Sequence, residues 1–247
     1  MQGPSHLMIS WFFADASRLD SAHDRRIVGW SGLAPDVDVL AYGAALLWYG
    51  LDKDLAFENV WTVVHHRYTH GLAFVLLTGV VAWLLAARSS VPRRGGEPAV
   101  GSLGASRALR VALLSMLASA LHNFFDIVGG GPTWPVYPLW PLNDFAWTAS
   151  WSWPLSEWPN TVILFCCLAF TMLYAKFGGR SAVELFGDAA DRWFVAVVRQ
   201  GSDQPAAPAG TRDTAAHRRI PLRLIIWVLV VLVTIAVLAP LGFRLDR

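Results

Sequence analysis

The chain has 247 residues, of which 55% are hydrophobic and only 15% charged, with a formal net charge of +2. A soluble domain carries about a quarter charged residues, and a near-neutral balance lacks the basic footprint of a nucleic-acid binder, so no nucleic-acid partner is expected. Thirteen tryptophans, a residue that gathers at membrane–water interfaces, point instead to an all-α, polytopic membrane helical bundle. The lipid bilayer is its expected surroundings.

In chain order, residues 1–13 are apolar but lack a basic leader and run into Asp15, so a cleaved signal peptide is not expected. Residues 27–50 are apolar but interrupted by Pro35, Asp36 and Asp38. A broken or re-entrant helix is expected there, because irregular backbone at membrane depth needs protein or water around it. Four cleaner spans come next, at residues 71–87, 111–128, 159–177 and 224–243, each near the about 20 apolar residues that cross a bilayer. The only cysteines, Cys166 and Cys167, lie in the third of these and read as structural.

Arginine sets the orientation. Residues 88–110 hold Arg88, Arg93, Arg94, Arg107 and Arg110 against a single acid, Glu97, and residues 176–223 are similarly rich in basic residues. Both segments are expected on the cytoplasmic side of a bacterial inner membrane, which leaves His70 and residues 129–160 at the outer face. That outer loop carries six tryptophans and six prolines between Pro132 and Pro159, the composition of a rigid aromatic lid at headgroup level. Within the second basic segment, Val183, Phe186, Trp193, Phe194 and Val197 define one amphipathic helix lying on the membrane, followed by an Ala/Pro/Gly-rich linker over residues 201–216. The chain thus divides into an embedded core (1–177), a cytoplasmic helix and linker (178–222) and a C-terminal span (223–247).

Three motifs carry chemistry. In the run His65-His66-Arg67-Tyr68-Thr69-His70, His66 and His70 are one helical turn apart, a spacing that lets two imidazoles bind one metal ion. His122 and Asp126 repeat that spacing inside a span, where ionisable groups are costly unless paired. Pro35-Asp36-Val37-Asp38 places two carboxylates in apolar surroundings; helix capping is the alternative use for them. Two antiparallel spans bring His66, His70, His122 and Asp126 to one membrane face. Imidazoles with carboxylates suit zinc first, then manganese or iron. Asp36, Asp38 or Asp126 would orient a metal-bound water or take its proton, and Arg67 would neutralise a phosphate or oxyanion. His65 points elsewhere on such a helix. His23 and His217 sit among surface charges and are expected to be solvated.

Taken in order, His6, Pro35-Asp36-Val37-Asp38, His66-Arg67-Tyr68-Thr69-His70, His122 to Asp126, and Tyr137-Pro138-Leu139-Trp140-Pro141 resemble the pattern of the bacterial membrane-bound metal-dependent hydrolases of the YdjM/YbcI type. The resemblance covers about residues 5–160. It implies a metal set of His6, Asp36, Asp38, His66, His70, His122 and Asp126. Gly71 stands where that family usually has serine, and Gly129 where a threonine often follows the aspartate. The order of ligands is also similar to helical zinc phosphodiesterases of the phospholipase C type, which brings phosphoesters, lipid-derived ones included, to the front of the substrates. The expected function is hydrolysis of an ester or phosphoester of a small-molecule or lipid-like substrate by a metal-activated water. The competing reading is a non-enzymatic haem- or metal-binding membrane protein using His66 or His70 with His122. A membrane di-iron oxidase is a third, lacking the usual histidine boxes.

Overall fold

The computed structural model describes residues 1–89 and 102–200; the span expected at 224–243 and the linker at 201–216 lie outside the described residues. Helix α1 (Gly3–Ala16) carries proline in its first turn, where the missing N–H has no intrahelical partner to lose. Helix α2 (Ala22–Ser31) is N-capped by the Ser21 hydroxyl, which accepts from Asp24 N. The two pack against each other, and Gly32 permits the contact, since a Cβ there would overlap the Ser10 hydroxyl. Pro35 then opens a 3₁₀ turn, Ala34–Asp38, that leads into α3 (Val39–Trp48). The segment 27–50 is therefore broken at its proline, as expected.

A short helix α4 (Lys53–Ala56), N-capped by the Asp52 carboxylate, runs through a π-turn (Phe57–Trp61) into α5 (Thr62–Val64). Helix α6 (Leu72–Arg88) lies along α7 (Ser102–Gly129). Their facing sides are built from small residues. Val75, Thr78, Gly79, Ala82 and Ala86 of α6 recur at helical spacing and are buried, as are Ala108, Val111, Ala112, Ser115, Ala118 and Ser119 of α7. A Cβ on Gly79 would collide with Met116. The large side chains point outward: Leu76, Leu77, Val80, Val81 and Trp83 on α6, and Leu109, Leu113 and Leu117 on α7, are all exposed. Small residues inside and leucines outside are how helices pack when hydrocarbon rather than water surrounds them.

Helix α8 (Trp158–Leu173) obeys the same rule, with Ile163, Cys167 and Thr171 buried and Phe165, Leu168 and Met172 exposed. It continues as a π-turn, Tyr174–Gly178, and stops at Gly179, whose φ of 70° is left-handed. Among the described residues, two helices are long and apolar enough to cross a membrane, Gly104–Gly129 and Trp158–Gly178, while Leu72–Arg88 is shorter.

Two expectations are corrected here. The amphipathic stretch 183–197 is not one helix: a 3₁₀ turn, Ala182–Phe186, is separated from α9 (Asp188–Arg199) by Gly187, whose φ of 123° no ordinary residue favours. Nor does packing separate residues 1–177 from residues 178–199. Glu184 is buried under α1 and α2, where it accepts from Arg25 Nε (2.8 Å), Arg25 Nη2 (2.5 Å) and Trp11 Nε1 (3.0 Å). Arg25 Nη1 also donates to the Leu19 and Asp20 carbonyls, and Arg180 pairs with Asp15. The interior beside this clamp is aromatic, with Trp11, Phe12 and Tyr174 in edge and stacked contacts.

Candidate metal centre

The end of the bundle opposite the Arg25–Glu184 clamp gathers the start of α1, the 3₁₀ turn after α2, the segment 65–71 and the last turns of α7. On α7, His122 and Asp126 share a face, and His122 Nε2 lies 2.9 Å from Asp126 Oδ2. His70 arrives from the segment before α6, its Nε2 3.2 Å from His122 Nε2 and 3.4 Å from Asp126 Oδ2. Asp36 closes the group, with Oδ1 3.3 Å from His122 Nε2 and 3.9 Å from His70 Nε2. One ligand atom from each of Asp36, His70, His122 and Asp126 lies within 4.8 Å of the others. The two histidines and Asp126 are buried, and Asp36 is partly open.

Each histidine is turned by a partner behind it. His122 Nδ1 is 2.8 Å from the Gly32 carbonyl oxygen. A carbonyl only accepts, so Nδ1 carries a proton, and Nε2 is the nitrogen that would face a metal. His70 Nδ1 is 3.1 Å from Thr69 Oγ1, whose hydroxyl donates to Asp38 Oδ2 at 2.9 Å; Nδ1 therefore donates to Thr69, and Nε2 is again the nitrogen that would face a metal. Asn123 Nδ2 donates to the His70 carbonyl at 2.7 Å and fixes that backbone. Two imidazole nitrogens and two carboxylate oxygens thus converge. Such a set repels itself unless a cation or proton sits among them, and partners behind each ligand are characteristic of metal sites. The donor chemistry fits a divalent metal with mixed N and O ligands.

The segment holding His66 and His70 is not helical. Helix α5 ends at Val64, His65 is extended, and His66 has φ 65°, a left-handed conformation that costs a non-glycine residue free energy and marks functional sites. The expectation that both histidines share a helical face is corrected in its reason, although their rings do meet, 4.6 Å apart. His66 Nε2 is 3.8 Å from Asp126 Oδ2, and its Nδ1 is buried with no hydrogen-bond partner among the described residues. His65, which a helix would have turned away, comes in as well: His65, His66 and His70 form a second group whose ligand atoms lie within 4.8 Å. His65 Nδ1 donates to Asp38 Oδ2 at 2.9 Å.

His6 and Asp38 stand behind the donors. His6 Nε2 is 3.0 Å from Asp126 Oδ1, its ring stacked on His122 at 3.7 Å, and the Met1 amino nitrogen reaches the same oxygen at 2.5 Å. Asp38 is fully covered and serves His65 and Thr69. Arg67 is not drawn to the donors: its Nη2 donates to Asp144 at 2.7 Å and its guanidinium lies over the Tyr137 ring. The oxyanion role expected of Arg67 does not fit that placement. Thr69, Asn123 and the Gly32 carbonyl escape motif reading, because their contribution is made across elements. Burial, with the neighbouring histidines behind it, holds His66 well below the ordinary imidazole value, and burial lowers His70 also. Both are therefore neutral, ligand-ready imidazoles at pH 7.

The tryptophan-rich loop covers this end. Val136 and Trp147 bridge it, Tyr137 N donates to the His66 carbonyl, and Asn160 Nδ2 ties Gly129, Pro154 and Leu155 together through their carbonyls. The two glycine departures have a local cause. A Cβ on Gly71 would come within 2.6 Å of the Trp140 carbonyl oxygen, and one on Gly129 within 2.9 Å of Asn160 Oδ1. No family model, curated protein or solved structure matches the chain.

Proposed function

We propose that the chain is a membrane-embedded, metal-dependent hydrolase of an ester or phosphoester, with Asp36, His70, His122 and Asp126 as ligands and zinc as the first choice of metal. The observation that carries this reading is the convergence of two oriented imidazole nitrogens and two carboxylate oxygens from three separate segments. The motif order that resembles the YdjM/YbcI-type hydrolases, which contains the same four residues, agrees with it.

A metal held by Asp36, His70, His122 and Asp126 would supply a coordinated water of pKa about 7 and Lewis acidity toward the ester oxygen. The protein supplies the rest. Gly32 O and Thr69 aim the two histidines, while His6 holds Asp126 through its second oxygen. His65, whose Nδ1 donates to Asp38 and which lines the adjacent cavity, would serve as the base that takes and returns a proton. With Arg67 engaged elsewhere, no arginine or lysine among the described residues lines that cavity.

The leucine-faced helices α6, α7 and α8 fit a bilayer, and the arginine distribution supports an orientation with the metal centre toward the outer face of the inner membrane. Haem ligation by His70 and His122 is disfavoured, because nitrogens 3.2 Å apart leave no gap for a macrocycle. The test is elemental analysis of detergent-purified protein together with turnover of phosphodiester and carboxylic ester substrates. About one or two zinc, manganese or iron ions per chain with metal-dependent turnover is the expected result; metal-free protein that takes up none on dialysis would overturn it.

A further inference from the structure

A cavity of about 870 Å³ reaches Asp36 and Asp126 of the donor set, near the upper end of the range for small-molecule sites. Its polar side chains are Gln2, Asp36, His65, His66 and Asp126, with the Met1 amine on Asp126 and the indoles of Trp30, Trp61 and Trp134 beside them, and the remaining lining residues are aliphatic, Phe57 or glycine. Leu33, Val37, Leu40, Phe57, Trp61 and Leu155 are among its walls. Leu33, Val37, Leu40, Phe57 and Leu155 offer the hydroxyls of a sugar or nucleoside no hydrogen-bond partner, and each buried polar group left unpaired would cost affinity. The cavity is therefore two-ended: donors for an ester or phosphate at one end, hydrocarbon surface over the rest.

The apolar wall also continues outward. Helix α3 carries no charged residue along Val39–Trp48. Val39 and Leu40, which line the cavity, are 52% and 69% exposed, and farther along the same helix Leu47 and Trp48 are 77% and 85% exposed. A helix this apolar and this uncovered, leading from the rim of the cavity, is an entry surface for a molecule arriving from hydrocarbon.

We infer that the cavity holds the alkyl tail of an amphiphilic substrate, entering along α3, with its ester or phosphoester headgroup at the Asp36–His70–His122–Asp126 donors. This rests on the hydrolase reading for the headgroup end; the tail site stands on the cavity walls alone. Affinity within a homologous series is then set by tail length, at about fourfold per methylene buried.

The experiment is photolabelling of the zinc-loaded, detergent-purified chain with an alkyl phosphonate bearing a diazirine at mid-tail, with adducts mapped by mass spectrometry. Expected adducts fall on Val37, Leu40, Phe57, Trp61 or Leu155. Excess dodecylphosphonate should suppress them, octylphosphonate should do so far less effectively, and L40E should reduce them severalfold, since an acid at this largely exposed rim position makes the entry surface less apolar. L142E, at an exposed position away from the cavity, should leave them unchanged. Adducts confined to the outward faces of α6, α7 and α8, or cavity adducts that dodecylphosphonate does not displace, would overturn the tail site. Cavity adducts that are displaced equally well with zinc present or stripped would uphold the tail site while counting against the hydrolase reading.

Discussion

Asp126 is the residue on which the candidate centre turns, and its conversion to asparagine changes charge while keeping shape. Its Oδ2 faces His122 at 2.9 Å and His70 at 3.4 Å, and its Oδ1 faces His6 at 3.0 Å and the Met1 nitrogen at 2.5 Å. An amide cannot serve both sides. With its nitrogen toward His6 it meets donors; with its nitrogen toward His122 it points N–H groups at the site and removes a ligand atom. Structural zinc sites bind with about 10–16 kcal/mol over four ligands, or about 3 kcal/mol for each, so Asp126→Asn is expected to weaken zinc binding by at least about a hundredfold. The metal-free protein should also lose about 1.5–3 kcal/mol with the charge-assisted hydrogen bonds, a fall of about 5 °C in melting temperature. Zinc affinity by competition with a fluorescent chelator, and melting of the same preparation with and without zinc, read the two effects separately. Zinc affinity equal to wild type in Asp126→Asn would refute the ligand assignment. A lowered melting temperature beside that unchanged affinity would identify a purely structural His–Asp network.

The geometry leads to three further outcomes. Glu184→Ala leaves Arg25 buried with only two carbonyl partners and orphans Trp11 Nε1, so it should destabilise by about 3–5 kcal/mol while zinc stoichiometry stays intact, and the double change Arg25→Met with Glu184→Leu should recover much of that loss; an additive double mutant would show that the pair is not coupled. Gly71→Ser should cost about 1–3 kcal/mol, because its Cβ meets the Trp140 carbonyl at 2.6 Å, and a melting temperature at or above wild type would mean the lid is seated differently. Burial lowers the pKa of His66 in the folded state below its ordinary 6.5, so in zinc-free protein its contribution to stability is full above about pH 6.5 and is lost as pH falls toward the folded value; melting curves from pH 8 to 5 should fall less steeply for His66→Gln than for wild type, and equal slopes would contradict a buried neutral imidazole.

Local periodicity alone determined part of the site. His122 and Asp126 lie one turn apart on a helix whose apolar run is unmistakable, and i, i+4 spacing on a helix is decided by backbone geometry that no tertiary contact alters. The broken form of residues 27–50 was equally legible, because proline enforces it through its own ring. The antiparallel disposition of α6 and α7 was readable from their two apolar runs and the arginines between them. Tertiary structure decided what those arguments could not reach. His65, His66 and His70 carry residues of good helical spacing, yet the Tyr137 N–H on the His66 carbonyl, the Asn123 amide on the His70 carbonyl and the Asp38 carboxylate at His65 and Thr69 hold that segment in a turn with His66 left-handed. Only those long-range bonds bring His65 inward and set Asp36 among the donors while Asp38 stands behind them, two positions apart in one 3₁₀ turn. Arg67 was pulled the other way by Asp144, a partner 77 residues distant, and the union of residues 182–199 with the core rested on Glu184 meeting Arg25 across 159 residues. Pairings over such separations are chosen by which buried charges and orphaned carbonyls must be satisfied once the helices have packed, and that requirement has no signature in the local order of residues.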